Sequence, residues 1–318
     1  MKLLITVCIY TFNRAQLLAE ALDSVCNQTM LTADYEVVVV DNRSTDNTRE
    51  VVKDFEKRMK NLRYCYEEQL GIANARNRGW KEASGDYIAY LDDDGTPPPD
   101  WLCIAAEVIR LHSPDLFGGP FYPSYAGLKP AWFKDEYGTF TLGDEARVLV
   151  SSGEYLSGGN LFVRRRLLEQ MGGFDPGLGM QGKQIGYGEE TAFIRRMRRE
   201  KPETQIFYEP RLYIHHRVRP EKMRFAWQLR HRFAQGRYGY LTFSDGVHRM
   251  TLRHLLGLVV LPVVIATQAS FGVVLRDRKI YPYPQNYYYE RVFQRIATFG
   301  KLYERLCYAL GARRAVDG

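Results

Sequence analysis

The segment Tyr35–Arg58, YEVVVVDNRSTDNTREVVKDFEKR, contains the unit on which the predicted fold rests. Its four consecutive valines predict a strand with both faces buried, as in the interior of a parallel sheet. The residues after the strand predict a helix, with Ser44 or Thr45 as the N-cap. The segment therefore indicates a strand followed by a helix, the repeating element of βαβ units.

The same alternation continues on both sides of this segment. Residues 3–10 form a short apolar run that suits a first strand better than a signal peptide. Residues 14–28 and 71–83 have helical periodicity, and 62–68 and 86–92 predict further strands. Strands and helices alternating at this spacing predict a parallel sheet with helices on both faces.

The composition changes after Pro220. Residues 221–240 predict a basic amphipathic helix with Phe225, Leu229 and Phe233 on one face. Such a helix suits an anionic membrane surface, or it docks on the protein with its charges in solvent. We therefore expect a catalytic domain in residues 1–220 and a helical region in 221–318.

Within that region, Leu255–Leu275 is a run of 21 residues without a charge. It is long enough to cross a bilayer, but glycines, a proline and polar residues interrupt it. Three alternatives stay open at this point: a helix or helical hairpin inserted into one leaflet, a full span, and a buried core helix. Basic residues flank both ends, so the sequence gives no orientation.

The charge distribution indicates the kind of partner, and the cysteine content indicates the compartment. The net charge is +7, and residues 195–253 contain 15 Lys or Arg against 5 Asp or Glu. This basic block favours an anionic partner such as lipid, nucleic acid or a phosphorylated substrate. Five cysteines without a CxxC pair predict reduced thiols in a cytosolic compartment and no zinc site.

Three adjacent aspartates, Asp92, Asp93 and Asp94, follow the predicted strand 86–92. Clustered carboxylates repel one another, and a divalent cation such as Mg²⁺ or Mn²⁺ is the simplest compensation. A polar turn is the alternative, because Asp and Gly are common turn residues. Asp41 also ends a strand, and ligands bind at the carboxyl edge of parallel sheets, which favours a site there.

Three further motifs each have a functional and a structural interpretation. Glu189 and Glu190 begin a predicted helix, where they could act as a general base or simply stabilise the helix N-terminus. The turn Ser157–Asn160, SGGN, could approach a ligand closely. His215 and His216 are adjacent on a strand, so at most one faces a metal site, and a lone strand histidine is more often structural.

Six stretches occur in a characteristic order: ITVCIYTFNRAQLLAEALDSVCNQT, VVVVDNRSTDNT, GIANARNRGW, YIAYLDDDGTPPPDWL, SGGNLFVRRRLLEQMGGFD and GYGEETAFIRRM. Together they resemble the family 2 glycosyltransferases of the GT-A fold over residues 3–220. The resemblance implies a Rossmann-like, mixed but mainly parallel sheet flanked by helices, followed here by a membrane-associating helical extension. It also implies an inverting transferase that uses a nucleotide sugar, most often a UDP-sugar, and a divalent cation, Mg²⁺ or Mn²⁺.

The resemblance assigns donor-side roles by position. The loop around the nucleotide would comprise Tyr10, Thr11, Asn13 and Arg14. Asp41 would bind the base, Arg76 would lie near the donor, and Asp92 and Asp93 would contact the ribose and the donor sugar.

It likewise assigns metal and acceptor roles. Asp94 would be the metal ligand of the DxD motif, and His216 would help to hold the metal or the diphosphate. Glu190 matches the catalytic base, and Glu189 would bind acceptor or donor hydroxyls. The acceptor-side turn would comprise Gly158, Gly159 and Asn160.

Four positions depart from the family pattern. Tyr10 stands where proline is common, and Asn42 where a second aspartate is common. Ala192 stands where another acid often follows the glutamate pair, and Glu190 where aspartate is more usual. The last two departures leave the base open between Glu189 and Glu190.

The expected function is transfer of a sugar to a hydroxyl of a glycan, polyprenyl-linked or glycolipid acceptor, in cell-surface polysaccharide or glycan assembly. We expect a peripheral or monotopic protein at the cytoplasmic face of a membrane, with an anionic surface as partner and no nucleic acid. One rival is a nucleotidyltransferase, which would have a glycine-rich phosphate loop where residues 10–16 have no glycine. The other is a non-catalytic nucleotide- or lipid-binding protein of the same fold, which would not explain the clustered carboxylates.

Overall fold

The computed structural model describes residues 4–182, 184–244 and 249–311. Residue 3 of the predicted first strand, and residues 245–248 and 312–318 of the predicted helical region, lie outside the described residues. The chain forms two compact units. The first comprises Met1–Ser124, Asp135–Pro176 and Glu189–Val218, and the second comprises Tyr125–Lys134, Gly177–Gly188 and Arg219–Gly318.

Within the described residues, the strands form an eight-stranded sheet and a three-stranded sheet. In chain order they are β1 (Ile5–Thr11), β2 (Tyr35–Asp41), β3 (Leu62–Tyr66), β4 (Tyr87–Asp92), β5 (Gly95–Thr96), β6 (Leu116–Gly118), β7 (Phe121–Tyr125), β8 (Arg147–Val148), β9 (Asn160–Arg164), β10 (Ile206–Tyr208) and β11 (Ile214–Val218). The large sheet has the order β3-β2-β1-β4-β9-β6-β10-β8, and the small one β5-β11-β7.

The large sheet is mixed but mainly parallel, as predicted. β1 pairs in parallel with both β2 and β4, and β2 with β3, which gives a parallel half built from the first four strands. β9 then runs antiparallel between β4 and β6. All seven residues of β2 are buried, which confirms that the valine run is covered on both faces.

Helices cover both faces of this sheet. In the first unit they are α1 (Ala15–Cys26), α2 (Thr48–Glu56), α3 (Ile72–Glu82), α4 (Trp101–His112), α5 (Arg165–Met171) and α6 (Glu189–Glu200). One apolar core packs α1, α2 and α4 against the sheet, and a second packs α3, α5 and α6. Side chains alternate between faces along a strand, so each strand of the parallel half contributes to both cores.

The predicted N-cap of α2 is wrong. The helix begins at Thr48, and neither Ser44 nor Thr45 caps it. These two residues instead bind Asn13 in the loop after β1. The Asn13 amide donates to Ser44 Oγ (2.9 Å), and the Thr45 amide donates to Asn13 Oδ1 (2.7 Å). Because they join two loops at the sheet edge, they are not free to cap a helix.

The second unit contains the remaining helices: α7 (Phe225–Phe243), α8 (Leu252–Thr267), α9 (Pro284–Tyr287) and α10 (Phe293–Ala309). α7 packs on α10 at close range. A Cβ on Gly236 would lie 1.8 Å from the Ala297 carbonyl oxygen, and one on Gly300 would lie 2.3 Å from that of Phe233. Glycine is therefore required where the two backbones meet.

The apolar run of the C-terminal region forms α8 and continues as helix to Gly272. None of its residues is buried, although its length and composition would allow it to cross a membrane. The buried core helix, one of the three alternatives for this run, is therefore excluded.

Candidate active site

The carboxyl edge of β1, β2 and β4 brings the strand-end aspartates together. The strand register pairs Thr11 with Asp41 and Tyr10 with Asp92. Asp41 and the aspartate triplet therefore lie at one edge of the sheet, as the βαβ pattern predicts. The hydrogen-bond and ion-pair partners of each aspartate differ, and they indicate which carboxylates are free to bind a ligand or a metal ion.

Asp93 is buried and held by the loop that follows β1. Its Oδ1 accepts a hydrogen bond from Arg14 Nη1 (2.8 Å), and its Oδ2 accepts one from the Thr11 hydroxyl (2.8 Å). Both oxygens therefore already have protein partners. Asn13 stands in a left-handed conformation (φ 53°) beside this loop, which shapes the turn into α1.

Asp94 lies beside His216 on β11. Its Oδ1 is 3.3 Å from His216 Nε2, and its Oδ2 is 3.7 Å from Arg14 Nη1. The neighbouring His215 is exposed, which confirms that only one histidine of the pair faces this site.

These two side chains fit a hard divalent cation. Adjacent ligands of an octahedral ion with bonds near 2.1 Å are separated by about 3 Å, close to the distance between Asp94 Oδ1 and His216 Nε2. Among the described residues, no three His, Cys, Asp or Glu side chains are placed to hold a metal ion together. Mg²⁺ commonly takes only one or two protein carboxylates and completes its shell with water and substrate phosphate.

Asp92 is tied to Arg76 through the hydroxyl of Tyr10. That hydroxyl accepts a hydrogen bond from Arg76 Nη2 (2.7 Å) and donates one to Asp92 Oδ1. Burial, with a smaller contribution from Asp92, raises the pKa of Tyr10 well above its ordinary value, so the hydroxyl keeps its proton. A proline at position 10 could not make this bridge, which gives the departure from the family pattern a structural role.

Arg76 also binds the glutamate pair at the start of α6. Its Nη1 donates to Glu189 Oε1 (2.9 Å) and lies 3.8 Å from Glu190 Oε2. Burial, and then the charge of Glu190, raise the pKa of Glu189 to about 8 although Arg76 opposes the shift. The Glu189 side chain is 6% exposed and that of Glu190 is 24% exposed. Glu190 is therefore the more accessible glutamate of the pair.

The turn before β9 packs directly against this network. A Cβ on Gly158 would lie 2.5 Å from Arg76 Nη2, and one on Gly159 would lie 2.3 Å from Asp92 Oδ2. Asn160 is fully buried. Its amide donates to the carbonyls of Pro120 (3.1 Å) and Leu212 (2.5 Å), and its Oδ1 accepts from Trp101. The SGGN turn therefore packs against the side chains of Arg76 and Asp92 and limits where they can lie.

Replacing Gly159 with alanine should displace the Asp92 carboxylate, because the new methyl group would occupy its position. We expect donor turnover to fall by about tenfold or more, because moving a positioning group such as the Asp92 carboxylate by about 1 Å greatly slows a reaction. The free energy of unfolding should change by only about 1 kcal/mol, because a side-chain end can move. Gly153→Ala is the matched control, since its Cβ would meet no atom closer than 3.8 Å. Equal turnover in the two variants would contradict the assigned contact.

Tyr64 and Arg49 lie beside Asp41, and the sequence analysis did not identify either of them. Asp41 Oδ2 accepts a hydrogen bond from the Tyr64 hydroxyl (2.8 Å), and its Oδ1 accepts one from the Ser44 amide (2.8 Å). The Arg49 guanidinium stacks 3.7 Å above the Tyr64 ring. Tyr64 lies in the middle of β3, the strand next to β2, so its place beside Asp41 could be found only from the strand order.

Asn42 explains a second departure from the family pattern. Its Nδ2 donates to the carbonyls of Glu67 (3.3 Å) and Gln69 (2.7 Å), while its Oδ1 accepts from the Gly71 amide (2.7 Å). An aspartate would lack the two N–H donors. The asparagine therefore fixes the loop that leads into α3, the helix that carries Arg76.

Comparisons with known proteins identify the family of this chain. Residues 6–172, just over half of the chain, match the family model for glycosyl transferase family 2. A glucosyl-dolichyl phosphate glucuronosyltransferase of Haloferax volcanii is 27% identical over 244 residues, 74% of this chain and 75% of that protein. The glycosyltransferase AglE of the same organism is 34% identical over 171 residues, 54% of this chain and 55% of its own length. The succinoglycan biosynthesis protein ExoM of Rhizobium meliloti is 28% identical over 247 residues, 77% of this chain and 76% of that protein.

Solved structures show the same fold. The mannosyltransferase PcManGT of Pyrobaculum calidifontis, in complex with GDP-Man and Mn²⁺, matches with a TM-score of 0.62 at 19% identity, over 98% of this chain and 88% of that one. Residues 1–349 of TarS from S. aureus match with a TM-score of 0.53 at 19% identity, over 99% and 95% of the two chains. With the family model covering most of the first unit, the chain belongs to glycosyl transferase family 2 and is a glycosyltransferase.

Proposed function

We propose that this glycosyltransferase is metal-dependent and inverting, and that it moves a sugar from a nucleotide diphosphate, most readily UDP, to an acceptor hydroxyl. One observation carries the proposal: Arg76 connects the donor-side Asp92 to the glutamate pair at one edge of the sheet. A donor held beside Asp92 would place its anomeric carbon near Glu190.

Glu190 is the proposed general base. Its side chain is the more exposed of the glutamate pair, whereas Glu189 is buried and accepts a hydrogen bond from Arg76. Glu190 takes the proton of the acceptor hydroxyl as that oxygen bonds to the anomeric carbon. The bond from this carbon to the diphosphate oxygen breaks on the opposite face, and its electron pair leaves with the nucleotide. A single displacement of this kind inverts the configuration.

The remaining polar residues position these groups. Asp94 and His216 would hold a Mg²⁺ or Mn²⁺ ion, which when bound neutralises charge on the diphosphate. Arg76 fixes Glu189 and, through Tyr10, Asp92. We assign Asp93 and Asn160 to holding the surrounding loops, because their polar atoms bind the protein itself.

The acceptor is proposed to be lipid-linked or a growing polysaccharide. Two of the relatives are named for a dolichyl phosphate sugar and for succinoglycan biosynthesis, which supports these two classes. Reduced cysteines and the exposed apolar helix favour action at the cytoplasmic face of a membrane. We infer a role in cell-surface glycan assembly there.

A screen of nucleotide sugars tests the proposal. The purified chain is incubated with each UDP-, GDP- and dTDP-sugar, with Mn²⁺ or with EDTA, and release of the nucleotide diphosphate is measured. We expect at least one donor to be hydrolysed slowly with Mn²⁺ and not with EDTA. Turnover that is equal in EDTA, or binding of no donor by calorimetry, would overturn the proposal.

A further inference from the structure

The exposed side of α8 carries an apolar stripe. Its members are Leu252, Leu255, Leu256, Val259, Val260 and Val263, continued past the end of α8 by Phe271, Val274 and Leu275. Each is between 47% and 81% exposed. Their spacing by three and four residues puts them on one face of the helix. An exposed apolar face of this length, which only Thr267 and Ser270 interrupt among its described residues, marks an interaction site.

The opposite face of the helix is docked on α10. A Cβ on Gly257 would lie 2.9 Å from Leu302, Arg295 donates to Gln268 Oε1 (2.6 Å), and Arg305 Nη1 lies 2.8 Å from the ring of His254. These contacts follow α8 from one end to the other, with α10 antiparallel. The helix therefore has its intramolecular partner already, and the apolar stripe faces away from it.

Positive charge stands at both ends of the apolar stripe. Arg249 and Arg253 are exposed around its first residue, Leu252, and Arg278 and Lys279 are exposed after it. No charged side chain lies between residues 254 and 275. Tyr281 and Tyr283 follow, a residue type that prefers the level of lipid headgroups. Basic residues on either side of an apolar face complement anionic headgroups above hydrocarbon.

A full span does not fit the docking on α10. The docking contacts begin at His254, which lies next to Arg305, and end at Gln268, which accepts a hydrogen bond from Arg295. His254 and Gln268 are fourteen residues apart on the continuous helix that begins with α8. That separation is about 21 Å along a helix, shorter than the hydrocarbon core of about 30 Å. Between these two arginines α10 also carries the exposed Lys301. Crossing the bilayer would therefore carry charged side chains of α10 into hydrocarbon.

A groove adjoins the apolar stripe. It lies between α7, α8 and α10, has a volume of about 460 Å³, and is lined mainly by apolar side chains, among them Leu229, Phe233, Pro262, Ile265 and Phe299. Pro262 is exposed next to Val263, so the groove and the stripe form one apolar surface. Hydrocarbon that covers the stripe would also reach the groove.

We propose that the apolar stripe lies in the plane of one leaflet of an anionic bilayer, with both basic ends at the same headgroup level. The second unit is then a monotopic anchor, and α10 remains on the aqueous side of α8. This inference concerns the anchor alone. Vesicle binding is measured without donor or acceptor, so its failure would leave the proposed transfer reaction untouched, and failure of the transfer reaction would leave the anchor untouched.

Vesicle binding of a matched pair of variants tests the surface. The pair Val259→Glu/Val263→Glu changes the stripe, and Leu128→Glu/Val150→Glu changes two residues that are 99% and 88% exposed elsewhere. With vesicles of phosphatidylcholine and phosphatidylglycerol, we expect the stripe variant to bind about tenfold more weakly or worse, and the control like wild type. Wild type should bind pure phosphatidylcholine less tightly. Equal binding of both variants, or no dependence on phosphatidylglycerol, would overturn the proposal.

Depth measurements separate in-plane insertion from the other possibilities. Single nitroxide labels at positions 256, 263 and 274 are compared in vesicles, in a chain whose Cys26, Cys103 and Cys307 are serine. We expect the three labels at similar, shallow depths of about 5–10 Å below the headgroup boundary. A label at position 263 near the bilayer centre, with 256 and 274 towards opposite faces, would establish a span. Labels that lipid does not reach, with a dimer by light scattering, would identify a second copy of the chain as the partner.

Discussion

Replacing Glu190 with glutamine should lower kcat for sugar transfer by about 10²–10⁴-fold, the usual contribution of a general base. Glutamine keeps the size of the side chain and removes the group that takes the acceptor proton. Donor affinity should stay close to that of wild type, because Glu190 contacts the donor side only through Arg76 at 3.8 Å. The measurement is steady-state transfer from the donor found in the screen, with calorimetry for donor affinity.

The neighbouring glutamate provides the contrast. Glu189→Gln disturbs the buried hydrogen bond from Arg76, so it should lower the melting temperature and raise KM for the donor as Asp92 shifts. Glu200→Gln, at the exposed end of the same helix, should behave like wild type in both assays. If Glu190→Gln retains near-normal kcat while folded, or if Glu189→Gln alone abolishes turnover without loss of stability, the base assignment is wrong.

Replacing Asp94 with asparagine should remove the dependence of nucleotide binding on the divalent cation. Asparagine can still hydrogen-bond to His216 but lacks the charge that a hard cation requires. We expect UDP affinity in Mn²⁺ to fall by about 100-fold, towards the value measured in EDTA, and turnover to fall at least as far. Calorimetric titration of UDP in Mn²⁺ and in EDTA measures both affinities.

Asp54→Asn is the control for this variant. Asp54 is exposed on α2 and pairs with Lys57, so its replacement should leave the metal dependence unchanged. If the Asp94→Asn protein keeps the full difference in UDP affinity between Mn²⁺ and EDTA, Asp94 is not the metal ligand.

The sequence could predict the sheet because the relevant signal is local. The valine run of β2 and the helical periodicity after it each lie within one segment, and alternation of such segments implies parallel order. The same reasoning placed Asp41 and Asp92 at one edge, which the strand register confirms. It failed at the N-cap of α2, where Ser44 and Thr45 bind Asn13, a residue more than thirty positions earlier.

Partners that are distant in the sequence account for most of what could not be predicted. Arg76 reaches Tyr10 and Glu189 across 66 and 113 positions, and no local pattern specifies either contact. Adjacent helical residues such as Glu189 and Glu190 point about 100° apart, so only the packing of α6 decides which one is buried. For α8, length and composition suggested a membrane, but the docking on α10 was needed to identify the exposed face.

The central claim is inverting transfer from a nucleotide sugar, and the product of the donor screen tests it most directly. With the donor that supports Mn²⁺-dependent turnover, the anomeric proton of the transferred sugar is followed by NMR before mutarotation. We predict a product whose anomeric configuration is opposite to that of the donor, as one displacement assisted by Glu190 requires. A product that retains the donor configuration would contradict the account.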